Sequence, residues 1–182
     1  MAVFQEIRPD RGAVDMHIDE LSAHIEIRQV LMTYCRGVDR GDEALIASVY
    51  HEGALDKHGS FQGTGADFAP YIVNSMDQSP IQGQHIINNV YIDFDGDEAK
   101  VESYFIALHP YPGADGQYTL AFVGGRYLDD FAFRHGRWAI TDRSVVFDWT
   151  RDTLPGDEWA ASAVFPQGGR READPSHAFF QR

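Results

Sequence analysis

From Ile18 to Val38 the apolar positions recur at helical spacing. His24, Ile27, Leu31, Tyr34 and Val38 fall on one stripe, while Glu20, Glu26 and Arg28 take the wetter side. Gly37 and Gly41 bracket the end of this helix, which places Asp39 at or just past its C-terminus. A short second helix is predicted at Glu43–Tyr50, with Leu45, Ile46 and Val49 pointing inward. A turn-rich stretch follows, then a third helix over Ala66–Met76 that Pro70 limits to a few turns. From Gln84 the period changes to that of strands. Gln84–Phe94 closes on the hairpin signal Asp95-Gly96-Asp97, and Glu98–His109 is its antiparallel partner. A loop rich in Pro110, Pro112, Gly113 and Gly116 leads to a long strand, Tyr118–Arg134, bent at Gly124-Gly125; His135-Gly136 turns it into Arg137–Trp149. Helices first and four long strands afterwards predict an α+β fold with a curled antiparallel sheet. Residues 1–17 read as an N-terminal arm and 18–150 as the folded domain. Residues 151–182, rich in Pro, Gly, Asp and Arg, read as a tail packing on the surface or on a neighbouring subunit.

The chain has 182 residues, 43% of them hydrophobic and 13% aromatic, enough for one domain with a real core. Fifteen Lys and Arg against 28 Asp and Glu give a net charge of −13. Such a surface repels phosphate backbones and anionic lipid, so no nucleic-acid partner and no membrane partner are expected. A single cysteine, Cys35, excludes an internal disulfide framework and a Cys-based zinc cluster. No apolar run approaches the roughly 20 residues needed to span a bilayer. The N-terminus lacks the apolar core of a secretory signal, and no Asn-x-Ser/Thr sequon occurs. The expectation is a soluble, cytoplasmic protein.

Local motifs are few. Gly63-Thr64-Gly65-Ala66 has the look of a dinucleotide loop but lacks the third glycine and a βαβ setting, so it reads as a turn before a helix. G-x-S-x-G, H-E-x-x-H and Walker patterns are absent. His17/His24 and His51/His58 are each seven apart on different predicted elements, a spacing that makes no metal-ligand motif. Neither a metal nor a cofactor is expected.

A dispersed set carries more chemistry: Tyr34 and Asp39 at the end of the first helix, His85 opening the first long strand, His109 ending the second, Arg143 midway in the last. A sheet curling around the helix end would bring the five together. A carboxylate bonded to one imidazole nitrogen fixes the tautomer and raises the basicity of the other, giving a general base near neutral pH. Tyrosine and arginine can then polarise a carbonyl or assist a leaving group. Each residue also has a structural reading. Asp39 can cap amides after the helix, and His85 can be a core histidine bonded to a carbonyl. Tyr34 can be core with its hydroxyl at water. Arg143 shares an alternation with Val145, Phe147 and Trp149, the face expected to be buried, and needs an acidic partner, for which Asp39 is a candidate. His109, before Pro110 at a strand end, is the weakest member.

The order of these pieces resembles a known family. Helix, Tyr34-x4-Asp39, short helix, Gln84-His85-Ile86-Ile87-Asn88-Asn89, Gly124-Gly125-Arg126-Tyr127 and Gly136-Arg137-Trp138 look like the SnoaL-like branch of the nuclear transport factor 2-like superfamily, over roughly residues 18 to 150. The resemblance implies a cone-like α+β barrel, a curved antiparallel or mixed sheet wrapped around N-terminal helices, with a deep apolar pocket. Within the branch the chain is most similar to the cofactor-independent lyases scytalone dehydratase, hexachlorocyclohexane dehydrochlorinase and bile-acid 7α-dehydratase. Those enzymes imply an Asp39–His85 dyad, with Tyr34, Arg143 and, as a second histidine, His109 beside it. They also imply a homotrimer.

The function expected on this resemblance is a dehydratase-like lyase acting by general acid–base catalysis on a hydrophobic, aromatic or polycyclic hydroxylated small molecule. Asp39, His85, Tyr34 and Arg143 would be catalytic; His109, Tyr50, Tyr104, Phe122, Tyr127 and Phe147 would line the pocket. Two alternatives stay open: a cofactorless carbon–carbon lyase or isomerase in the same pocket, and a non-catalytic module such as a ring-hydroxylating dioxygenase β subunit.

Overall fold

The computed structural model describes residues 17–112, 116, 118–152 and 169–173. Most of the expected N-terminal arm and of the C-terminal tail therefore lies outside the described residues. Among those described, no helix is long and apolar enough to cross a membrane.

Three helices pack into the hollow of one open six-stranded sheet. Helix α1, Ile18–Arg40, buries Ala23, Ile27, Leu31, Tyr34 and Val38 along the expected stripe. It ends in a Schellman motif: Gly41 takes φ 64°, and the amides of Gly41 and Asp42 bond the carbonyls of Val38 and Gly37. The helix runs two residues past the expected Val38, so Asp39 stands inside its last turn with its side chain turned inward. Helix α2, Glu43–Ser48, starts on Asp42, whose carboxylate accepts the Leu45 amide. Helix α3, Gly65–Asp77, starts on Thr64, whose hydroxyl accepts the Asp67 amide, so the Gly63–Ala66 motif is a helix cap.

The strands exceed the four predicted. Tyr50–His58 (β1) and Phe61–Thr64 (β2) form a hairpin within the stretch read as turns, so the second helix stops at Ser48 and Tyr50 opens a strand. The remaining strands are β3 (Gln84–Asp95), β4 (Glu98–Pro112), β5 (Tyr118–Arg134) and β6 (Arg137–Asp152). Strand order is β2-β1-β6-β5-β4-β3, antiparallel throughout except for the parallel β1–β6 pair. That pair makes the sheet mixed. The result is the α+β cone, with Ile27, Leu31, Phe68, Val73, Phe105, Tyr127, Phe131 and Ile140 filling the space between helices and concave face.

Two irregularities decide which side chains face inward. At Gly124-Gly125 a Cβ would meet the Trp149 ring at 2.2 Å or the Val146 carbonyl at 2.3 Å, so only glycine admits the close strand approach there. Opposite it, Gly124 pairs with Trp149 and Gly125 with Phe147, leaving Asp148 as a bulge. The bulge breaks the alternation expected along β6: Arg143, Val145 and Phe147 share the concave face, whereas Trp149 is returned to the convex one. Phe147 (52% exposed) and Trp149 (45% exposed) are not buried as the sequence suggested.

Candidate active site

The end of α1 meets the start of β3 at Asp39 and His85. One carboxylate oxygen of Asp39 accepts from His85 Nδ1 at 2.7 Å, and the other accepts the backbone amide of the same residue at 3.1 Å. Both side chains are largely buried. Two bonds from one carboxylate to one residue fix the position and the plane of the imidazole. With Nδ1 donating, Nε2 carries the lone pair. The Asp39 carbonyl is held in turn by the Gln82 side chain, which also bonds the Gly169 carbonyl. The described turn after Gly169 is tied down by Arg170 and Arg171 to Asp77 at the end of α3, beside the dyad's end of α1.

His109 faces His85 edge-on, ring centroids 4.9 Å apart. Burial, then repulsion from His85 and His58, pushes its pKa down to about 3. It therefore stays neutral at physiological pH.

Deeper in the cone, Arg143 is fully buried, and its partner is Asp129 on β5 rather than Asp39. Nε and Nη2 each donate to an Asp129 oxygen at 2.7 Å, a bidentate fork. The guanidinium lies between the rings of Tyr34 and Tyr127, its carbon 4.2 Å from both centroids. The neighbour across the register, not the helix end, supplies the carboxylate: Asp129 and Arg143 are paired residues of adjacent strands. Burial raises the Tyr34 hydroxyl's pKa far above its ordinary range even against the opposing Arg143 charge, so Tyr34 remains a proton donor.

The other expected pocket residues divide. Tyr50 is buried, its hydroxyl donating to Asp56, and Tyr127 is buried against Phe105. Phe147 is on the concave side, edge-on to Phe105. Tyr104 and Phe122 do not line the interior. The inward parity of β4 and β5 is set by Phe105, Ala107, Val123 and Tyr127, so Tyr104 is 41% exposed on the convex face and Phe122 packs there on Trp149.

The sequence reading weighed His58 only for its spacing from His51 and passed over Asp56; both lie on β1 and face the interior beside Arg143 and Tyr127. Their alternation, Asp56-x-His58, was the only available signal, and a strand with Glu52, Gly53 and Lys57 hides it. Among the described residues no group of three or more His, Cys, Asp and Glu side chains is placed to hold a metal ion.

Helices seated in a curved, open mixed sheet, with a carboxylate–imidazole pair at the helix end, define an α+β cone of the nuclear transport factor 2-like type. The chain belongs to the SnoaL-like domain family, matched over residues 19–144. Its fold is shared by the type-3 hexachlorocyclohexane dehydrochlorinase of Novosphingobium barchaimii (18% identity, 79% of this chain and 97% of that one, TM-score 0.67). It is shared also by a protein of Novosphingobium aromaticivorans provisionally named scytalone dehydratase (22%, 74% and 89%, 0.64). A Mycobacterium tuberculosis protein of unknown function is similar too (20%, 75% and 76%, 0.60). At these identities the likeness establishes the fold. No curated protein matches the sequence significantly.

Proposed function

We propose that this chain is a cofactor-independent lyase that removes water from a hydrophobic, cyclic hydroxylated small molecule by general acid–base chemistry. The observation that carries this reading is the double attachment of His85 to Asp39, which leaves an oriented Nε2 as base. Solved structures of the same fold that bear dehydratase and dehydrochlorinase names support it.

An imidazole is strong enough only for an acidified C–H, so the substrate class is a β-hydroxy carbonyl compound whose α proton lies over His85. Nε2 takes that proton, and Asp39 stabilises the imidazolium. Tyr34 donates to the carbonyl oxygen as it becomes enolate. Arg143, with two of its nitrogens held by Asp129, supports that charge through the Tyr34 ring rather than by direct contact. His109, neutral, offers a hydrogen bond beside His85. The working assembly is a homotrimer in this proposal, supported by exposed apolar side chains on the convex face, among them Tyr91, Tyr104, Leu128 and Trp149.

The test is dehydration of 3-hydroxy-1-tetralone, a bicyclic β-hydroxy ketone that loses water to 1-naphthol, followed by product fluorescence. Wild type should turn it over and His85→Ala should not. Turnover unchanged in His85→Ala would defeat the reading.

A further inference from the structure

Elimination needs a proton donor at the departing oxygen as well as a base at carbon. Tyr34 is engaged at the carbonyl, and a neutral His109 is a poor acid. Another group inside the cone meets the requirement. Asp56 and His58 lie two apart on β1, so both project from the same face of the sheet, toward the interior. The Asp56 side chain is fully buried; Oδ2 accepts the Tyr50 hydroxyl, and Oδ1 lies 3.4 Å from His58 Nδ1. Asp56 Oδ1, His58 Nδ1 and, on the paired strand, Arg143 Nη1 are buried without a hydrogen-bond partner. Folded proteins leave few such atoms, and three together mark a place where something polar binds or moves.

The His58 ring is stacked on Phe68 at 4.7 Å, which holds its plane. With Nδ1 toward Asp56, Nε2 lies on the opposite ring edge. The ring centroid of His58 lies 6.5 Å from that of Tyr127, whose ring is 5.6 Å from Tyr34, so His58 faces the interior beside the residues around Arg143.

We propose that Asp56 and His58 form a second acid–base unit, in which His58 is the catalytic acid that protonates the departing oxygen and Asp56 is its positioning residue. This rests on the lyase reading above. His85 Nε2 takes the α proton, and the C–H electron pair passes through the enolate to form C=C. The C–O bond breaks, and its oxygen leaves as water with the proton from His58 Nε2. His85 ends as imidazolium and His58 as neutral imidazole, and exchange with solvent resets both. Among the described residues, the titratable and charged groups facing His58 are Asp56 on its own strand, Tyr127 from β5, His109 from β4 and, beyond Asp56, Arg143 from β6 and Tyr34 from α1; the Phe68 ring of α3 stacks on it.

The experiment titrates 1-naphthol into the full chain labelled with 15N-histidine, then measures the pH profile of 3-hydroxy-1-tetralone dehydration for wild type and His58→Gln. The ring nitrogens of both His58 and His85 should shift on binding. His58→Gln should lower kcat by about 10² or more with KM within about threefold, and should abolish the high-pH fall of the wild-type profile. Asp56→Asn should change the 15N tautomer signature of His58 and leave that of His85 unchanged. A response at His85 alone, with His58→Gln near wild type in kcat, would overturn this proposal while leaving His85 as base. No response at either ring would remove the lyase reading with it. The labelled wild-type titration stands even where a variant folds poorly.

Discussion

Two carboxylates hold two nitrogenous partners on the same concave wall, and their settings differ. Asp129 and Arg143 join adjacent strands, are sealed from solvent and use both oxygens on both donors. Asp39 and His85 join a helix end to a strand end and keep one ring nitrogen uncommitted. In the first pair both carboxylate oxygens are taken up by the guanidinium, so the pair can only be broken. The second has spare capacity, and its location is electrostatically unfavourable: a carboxylate in the last turn of α1 faces the negative end of the helix dipole, a cost of about 0.3–1 kcal/mol. A stability device would not be placed there. The contrast separates a residue pair that holds the wall from one that keeps a ring nitrogen in reserve, the one to which the proposed function gives the role of base.

Removing one half of the sealed pair should produce the largest effect. Asp129→Ala would strand a buried guanidinium, and urea unfolding should show a loss of about 3–5 kcal/mol. A loss under 1 kcal/mol would mean water reaches Arg143. His85→Ala should cost less in unfolding, about 1–3 kcal/mol, because Asp39 keeps its bond from the backbone amide at that position, and should reduce turnover of 3-hydroxy-1-tetralone by about 10² to 10⁴. His109 supplies a pH signature. Its pKa falls from 6.5 in the unfolded chain to about 3 in the fold, so between those values the unfolded state binds more protons. The contribution is complete above pH 6.5 and is lost as pH falls toward 3. It amounts to about 5 kcal/mol and should be missing from the acid limb of His109→Leu, read by thermal melts across pH. At the small end, Lys57→Ala breaks an exposed bridge to Asp142 and should change stability by less than about 1 kcal/mol.

Much of this wall was legible before any coordinates. Helical spacing gave α1, and turn signals such as Asp95-Gly96-Asp97 gave the long hairpins, because there the buried and exposed positions alternate cleanly. Asp39 beside His85 followed from resemblance, with the short contact a matter of tertiary geometry. Strand β1 was missed because its inward positions carry Asp56 and His58 where a strand pattern wants apolar residues: chemistry inside the cone erases the period that reveals a strand. Asp129 was missed as the arginine's partner for a related reason. Cross-strand neighbours depend on register, and the extra residues at Thr141 and Asp148 shift it beyond what alternation can foresee. The same shift moved Trp149 to the convex face, and inward parity on β4 and β5 sent Tyr104 and Phe122 there too.

If Asp39 serves the imidazole and not the fold, Asp39→Asn will show it in two readings on one preparation. Turnover of 3-hydroxy-1-tetralone should fall by about 10² or more, because the amide stabilises no imidazolium and permits the wrong tautomer, while the melting temperature stays within about 3 °C of wild type. Full turnover with a melting temperature lowered by about 5 °C or more would instead make Asp39 a structural anchor of the helix end.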